Sequence, residues 1–455
     1  MDVKATDPPA EADRVPGRPG RLRWLIAGCL ALGVIITYFD RSNLSVATGP
    51  LMSQYHISKG EMGILLSAFA WSYSLFTLPV AALLDRIGVK WLQRIGGVIW
   101  SAATLLTAVV SGFGLLILVR VLLGVGEAPL FPGASKATSY WFPLRERSVA
   151  TSTFDGAAKF SNVIGLPVIA LFVGSYGWQA GFWFTGGLSV FFLLVFWLFY
   201  RDPSEHKMLS AQERQYIADG GAQAEGTTAN LGVAARDLLR RRKVWGLILG
   251  FTAYNYCFVM FMTWLPGYME TDMHMSVIKA GWSTAGPWLA ATVCDVAIGG
   301  LLVDKLIRSG RNPTVVRQVV LCAGMLLGVA VIPAAFTNSP TIALVWISIA
   351  LAGIAFSAPV AWSIPGLIAP PGTVGMLGGM INLGGNVAGI VAPIVTGYVA
   401  QAAGFGAAFV VAGIVLVGGL AAYLFMLGRI EPITLAGGGS GVSARRPAEA
   451  ARPEV

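Results

Sequence analysis

Charge is scarce in this chain. Asp, Glu, Lys and Arg make up only 12% of its 455 residues, about half the share of a soluble domain. A deficit that deep excludes a globule wetted on all sides. Histidine is scarcer still, with three residues, His56, His206 and His274, all in expected loops, so a buried metal centre is not indicated. The four cysteines, Cys29, Cys257, Cys294 and Cys322, lie inside apolar runs and show no metal-ligand spacing. A zinc site and a disulfide framework are thereby set aside. No HExxH or GxSxG stands in a suitable context, and no catalytic cluster accompanies one, which argues against an enzyme.

What the chain has instead is hydrocarbon: 55% of its residues are hydrophobic. They fall into twelve runs, 24–47, 61–83, 92–110, 114–137, 148–173, 179–200, 244–268, 277–303, 315–335, 341–366, 374–399 and 406–427. Roughly 20 apolar residues cross the ~30 Å of a bilayer core. Backbone in lipid must bond to itself, so each run is expected to be a helix. Internal Gly and Pro predict kinks in the fourth, fifth, tenth and eleventh. The expected fold class is an all-α membrane protein of twelve transmembrane helices.

The net charge of +9 is set by topology. Of 32 Lys and Arg, 26 fall in the N-terminal tail, the even-to-odd connections and the C-terminal tail, while the other side holds only Lys59 and Lys279. Such asymmetry places basic loops and both termini in the cytoplasm, in the inner membrane if the cell is bacterial. Nucleic-acid binding is not expected. The polar stretch 201–243 divides the chain six plus six. The expected domains are a cytoplasmic tail at 1–23, a six-helix bundle at 24–200, the central loop at 201–243, a second bundle at 244–428 and a disordered cytoplasmic tail at 429–455. The first run is too long for a cleaved signal peptide and is read as a retained span. Ser210 and Glu213 form a capping-box pattern that predicts a short amphipathic helix in the central loop. That 43-residue loop is too small for an output domain, which disfavours a sensor.

The two halves share a pattern: LLDRIGVK at 83–90 and GGLLVDKLIRSGR at 299–311. Each puts an acid (Asp85 or Asp304) and a base at a helix end, then Gly and more basic residues; Arg86 is the base of the first. Repeated halves are what many secondary transporters are built from, with the ligand bound near mid-membrane.

Ionisable residues inside spans cost about 2.5–3.5 kcal/mol each on insertion scales, so they need a partner, water or a function. Asp40 and Arg41 sit in YFDRSNLSVA, past the middle of the first run. Desolvation and a neighbouring Arg pull a carboxyl's proton affinity in opposite directions, which suits a group that changes protonation; a fixed ion pair is the plainer reading. Arg120 and Glu127 lie in RVLLGVGEAPLFPG, seven residues and about 10.5 Å apart on one helical face. GVGEAP is not a dinucleotide fingerprint, since no strand precedes it and the third Gly is missing. Asp155 and Lys159 are spaced to pair along one helix. Asp295 admits structural and gating roles equally. Tyr38, Tyr73, Asn255, Tyr256, Trp362, Ser363, Asn382 and Asn386 complete a possible polar cavity.

DRSNLSVA, RVLLGVGEAPLFPG with WFPLRERS, and GGMINLGGNVAGIVAPIVTGY resemble the anion:cation symporter family of the major facilitator superfamily, along essentially the whole chain. The LLDRIGVK segment is similar to the superfamily signature after the second helix, with Ala81 where a Gly is usual. The resemblance implies the major facilitator fold and uptake of a small organic anion, a sugar acid first and an aromatic or dicarboxylic acid second. An exporter on the same fold is the more distant alternative. It implies Asp40 and Glu127 as proton-coupling acids and Arg41 as the group that engages the substrate carboxylate. Arg120, Tyr38, Tyr73, Trp362 and Asn382 fall at the family's site positions; Lys159 and Asn386 are added as candidate substrate contacts. Asp85, Arg86, Asp304, Asp155 and Asp295 are assigned to gating or structure. Ala158 stands where some sugar-acid importers carry a Gln, which leaves the particular acid open. No cofactor is implied beyond a proton gradient. The expected partners are the anion, protons and membrane lipid, and the expected state is a monomer. In the expected cycle, protons bind at Asp40 and Glu127, and neutralising Asp40 frees Arg41 for the ligand carboxylate.

Overall fold

A computed structural model describes residues 20–223, 234–370 and 373–433. Most of the two tails expected to be cytoplasmic, 1–23 and 429–455, lies outside the described residues, including 434–455 of the tail expected to be disordered. Among the described residues every regular element is a helix. Twelve are of membrane-crossing length. We number them α1 (Leu22–Val46), α2 (Lys59–Ile87), α3 (Val89–Thr107), α4 (Phe113–Trp141), α5 (Leu144–Tyr176), α6 (Trp178–Phe199), α7 (Arg242–Thr271), α8 (Val277–Arg308), α9 (Pro313–Ala334), α10 (Pro340–Ile368), α11 (374–403) and α12 (405–427). Large apolar side chains stand exposed around them: Leu75, Leu198 and Phe425 are each about 70% open. A fold that leaves such groups outward is solvated by lipid, not water.

The helix ends follow local chemistry. Ser58 and Glu61 cap α2 reciprocally: the Ser58 hydroxyl accepts from the Glu61 N–H at 3.2 Å, and the Glu61 carboxylate accepts from the Ser58 N–H at 2.8 Å. Asn312 accepts from the backbone of Thr314 and Val315 ahead of α9, with Pro313 in its first turn. The repeated motif has a structural counterpart. Gly88 and Gly310, which close LLDRIG and VDKLIRSG, both hold positive φ, 82° and 86°, a region that glycine enters without steric cost. Each turns the chain sharply after an acid-and-base helix end. Asp304 is exposed and meets Arg308, one turn on, at 3.7 Å; Arg86 is exposed; the Asp85 side chain lies outside the described residues.

The expected kinks are partly real breaks. Helix α4 interrupts at Ala128–Pro129, directly after Glu127. Helix α10 breaks at Ile364, before Pro365. Helix α5 carries Pro167 without interruption. Two departures were not expected: α12 ends π-helical over Ala422–Leu427, and α8 turns π-helical over Asp295–Leu302, starting at the buried Asp295. A π turn widens the helix by one residue and is frequent at functional sites.

The chain forms two compact units, 1–228 with 262–289, and 229–261 with 290–455. In the first, α1 packs along α5 and α6, while α4 lies between α2 and α3. The unit takes in the second half of α7 and the first half of α8, and specific contacts hold them. Ser45 donates to the Thr263 carbonyl at 2.7 Å, and Lys59 pairs with Asp272 at 2.9 Å. The Gly49 N–H donates to the Glu270 carboxylate. In the second unit, α9 packs on α10 and α12: Gly413 lies against Ile332, and Gly419 against Met325.

The short helix in the central loop forms at Ala211–Asp219, with the Ser210 hydroxyl accepting from the Glu213 N–H. Its Glu213 carboxylate does not fold back to complete the expected capping box. It turns to Arg23, whose guanidinium meets Glu213 at 2.9 Å and Glu146 at 2.8 Å. The loop helix is thus pinned to the starts of α1 and α5.

Candidate functional site

Successive residues on a helix point about 100° apart, and that angle separates Asp40 from Arg41. Arg41 faces α2 and α4. Its Nε donates to Glu127 Oε2 at 2.8 Å, and the Glu127 carboxylate is fully buried. Three rings surround the guanidinium: Tyr38 at 4.9 Å, Phe69 at 4.6 Å and Tyr73 at 5.1 Å. Aromatic faces attract a cation and narrow its freedom. Phe69 and Tyr73 are one turn apart on α2 and stack on each other at 5.3 Å.

Asp40 faces the other way, toward α3 and α6. Its Oδ2 accepts from the Trp100 indole N–H and from the Ser189 hydroxyl, the latter at 2.9 Å. The side chain is buried at 1% exposure, and its Oδ1 has no hydrogen-bond partner among the described residues. The expectation that Asp40 governs its neighbour Arg41 is therefore corrected in geometry: the acid that holds Arg41 is Glu127, 86 positions along the chain.

Arg120 is a further buried cation beside this pair, 3% exposed, with its guanidinium 5.7 Å from the Phe69 ring. It does not bond to Glu127, although both lie on α4. Its Nε and Nη1, and Nη2 of Arg41, have no hydrogen-bond partner among the described residues. A buried donor without an acceptor costs roughly 1–3 kcal/mol, more when charged. Two guanidinium forks with open N–H groups beside a shared aromatic ring offer donors whose geometry suits an anion, a carboxylate best.

The remaining predicted residues divide between the units. Lys159 is half-buried on α5; the Asp155 side chain lies outside the described residues. On the second unit, Trp362 is 43% exposed and meets Phe251 edge-on at 5.2 Å. Asn382 is exposed and Asn386 half-buried on α11. Asn255 donates to the Gly385 carbonyl at 2.6 Å. The first unit thus brings together Tyr38, Arg41, Tyr73, Arg120 and Glu127. Phe69, Trp100 and Ser189 were missed. Phe69 was findable, because it precedes Tyr73 by one helical turn on a predicted face; Trp100 and Ser189 look like ordinary span residues.

Comparison with known proteins places this geometry. The Major Facilitator Superfamily profile matches residues 30–316. An uncharacterized transporter of Bacillus subtilis, YybO, is 44% identical over 421 residues, covering 92% of this chain and 97% of the relative. A D-galactonate transporter of Escherichia coli O6:H1 is 32% identical over 424 residues, covering 91% and 98%. A probable sulfoacetate transporter, SauU, of Cupriavidus necator is 31% identical over 412 residues, covering 89% and 94%. Among solved structures, a bacterial homolog of the human lysosomal transporter Spinster superposes with a TM-score of 0.73 at 18% identity, covering 90% of this chain and 97% of that one. That likeness speaks to the fold alone. With twelve helices of crossing length, a match over more than half its length and whole-length relatives that are transporters, the chain belongs to the Major Facilitator Superfamily.

Proposed function

We propose that the chain imports a sugar acid, a hexonate, aldarate or hexuronate, together with protons by alternating access. Its proposed setting is a bacterial inner membrane with both termini in the cytoplasm, as the basic connections indicate. The observation that carries the reading is the Arg41–Glu127 pair with open guanidinium N–H groups beside it. A proton taken by Glu127 removes the charge that holds Arg41. The freed guanidinium, with Arg120, then binds the ligand carboxylate. Loss of that proton on the cytoplasmic side returns Arg41 to Glu127 and weakens the anion site, so the ligand binds the two states with different affinity, as coupling requires. Asp40 is the second acid of the cycle, reached through other side chains. The D-galactonate and galactarate/D-glucarate transporters among the relatives support the ligand class.

The test is uptake of radiolabelled D-galactonate and D-glucarate into proteoliposomes. An inward proton gradient should raise accumulation. Glu127→Gln, which imitates the protonated acid, should abolish gradient-driven accumulation and leave exchange across the membrane intact. Accumulation that persists in that variant refutes the coupling role.

A further inference from the structure

Between the two acids stands a residue that no transport role has yet absorbed. Trp100 is 1% exposed on α3, its ring 5.5 Å from Phe192 of α6. Its indole N–H donates to Asp40 Oδ2. Its backbone lies against α4 at Gly126: a methyl group there would stand 2.5 Å from Trp100 N and 2.8 Å from its Cα. Gly126 is the residue before Glu127, and α4 is interrupted one residue after it. Trp100 therefore touches the backbone that carries one acid and holds the carboxylate of the other.

We propose that Trp100 is a positioning residue that ties the protonation of Asp40 to that of Glu127. This rests on the reading of both acids as proton sites. When Glu127 takes a proton and releases Arg41, the end of α4 loses its ion pair to α1, and any shift there meets Trp100 at van der Waals contact. A small rotation of the indole takes its N–H off the Asp40 oxygen, because hydrogen bonds weaken steeply with angle. A donor to a carboxylate favours the charged form, and its loss favours the proton. Protonation of one acid thereby prepares the other. The charged groups around Asp40 are Arg41 on α1 and Arg120 and Glu127 on α4; α3 and α6 bring only neutral ones, Trp100, Thr104, Thr185 and Ser189. Asp40 forms no ion pair among the described residues; its hydrogen bonds come from neutral donors, and the indole is one of the two whose bonds are formed.

The experiment needs no substrate. The purified full-length chain is melted across pH 5 to 9 as wild type, Trp100→Phe, Asp40→Asn and the double variant. Phenylalanine keeps the ring packing and lacks the N–H. Trp100→Phe should move the pH dependence of the melting temperature upward by about one unit, and the shift should vanish in the Asp40→Asn background. In the wild type, Glu127→Gln should also move the Asp40-dependent part of the profile upward; in Trp100→Phe only the opposite, direct effect of removing the Glu127 charge should remain. A Trp100→Phe profile that superimposes on wild type, or the same shift without Asp40, overturns the proposal. Ser189→Ala, which removes the other donor with little change of packing, should shift the profile in the same direction if Trp100→Phe does not fold, and an unmoved profile there is equally fatal. Transport of a sugar acid is read separately, so a chain that carries no galactonate would sink the assigned ligand and leave the melting result standing.

Discussion

At the scale of single residues, the site depends on what a guanidinium does that an ammonium cannot. Arg41 bonds Glu127 through Nε, lies among three ring faces and keeps another nitrogen open. Lysine would carry the same charge as a point, with no planar fork to divide between acid and ligand. Arg41→Lys should therefore weaken the apparent affinity for the sugar acid at least tenfold, about 1.4 kcal/mol, seen as a raised KM in proteoliposome uptake. An unchanged KM would mean that the ligand carboxylate goes elsewhere. This is also the scale at which reading from sequence fell short. Asp40, Arg41, Arg120 and Glu127 were legible as costly charges in oil. Their pairing was not, because adjacency in the chain suggested Asp40 with Arg41, and helical spacing suggested Arg120 with Glu127. The helix turns Asp40 and Arg41 to different faces, and the partner of Arg41 comes from another span. Trp100 and Ser189 carry no signal at all until Asp40 is seen between them.

Among the elements, the helices were legible to within about five residues at their ends, since a lipid-crossing run has a length set by the membrane and one available backbone structure. Breaks were legible where proline stands, as at Pro129 and Pro365. The π turn at Asp295–Leu302 was not, because no residue type marks it. The loop helix Ala211–Asp219 was expected, and its attachment was not: Glu213 is spent on Arg23. Arg23 is 5% exposed and bonded to two carboxylates, so its removal strands Glu213. Breaking one side of a buried pair costs about 3–5 kcal/mol. Arg23→Ala should free the 201–243 connection from α1 and α5. Limited proteolysis should then cut that connection several-fold faster than in wild type, whereas equal rates would show that the clamp holds nothing.

On the scale of the whole molecule, two rods are shared. Helix α7 passes from one unit to the other after Phe261, and α8 after Leu289. Each has a proline close to that point, Pro266 and Pro287. Proline lacks the N–H that would bond the carbonyl four residues back, so Met262 and Ser283 are each left with a carbonyl lacking that helical donor. The bond missing from each rod lies where the unit boundary falls. Substituting Pro266→Ala should restore it and stiffen α7. The expected result is a several-fold lower maximal uptake rate with KM little changed; a wild-type rate would show that α7 does not bend there.

The shared rods bear on temperature. A carrier that reorients by flexing proline-bearing helices, and not by loosening long loops, meets an elastic barrier. Such a barrier is enthalpic, so turnover should fall steeply on cooling while the equilibrium affinity for the anion changes far less. Cold would then trap the protein with ligand aboard, which makes chilled, loaded vesicles the natural sample for catching the occupied state.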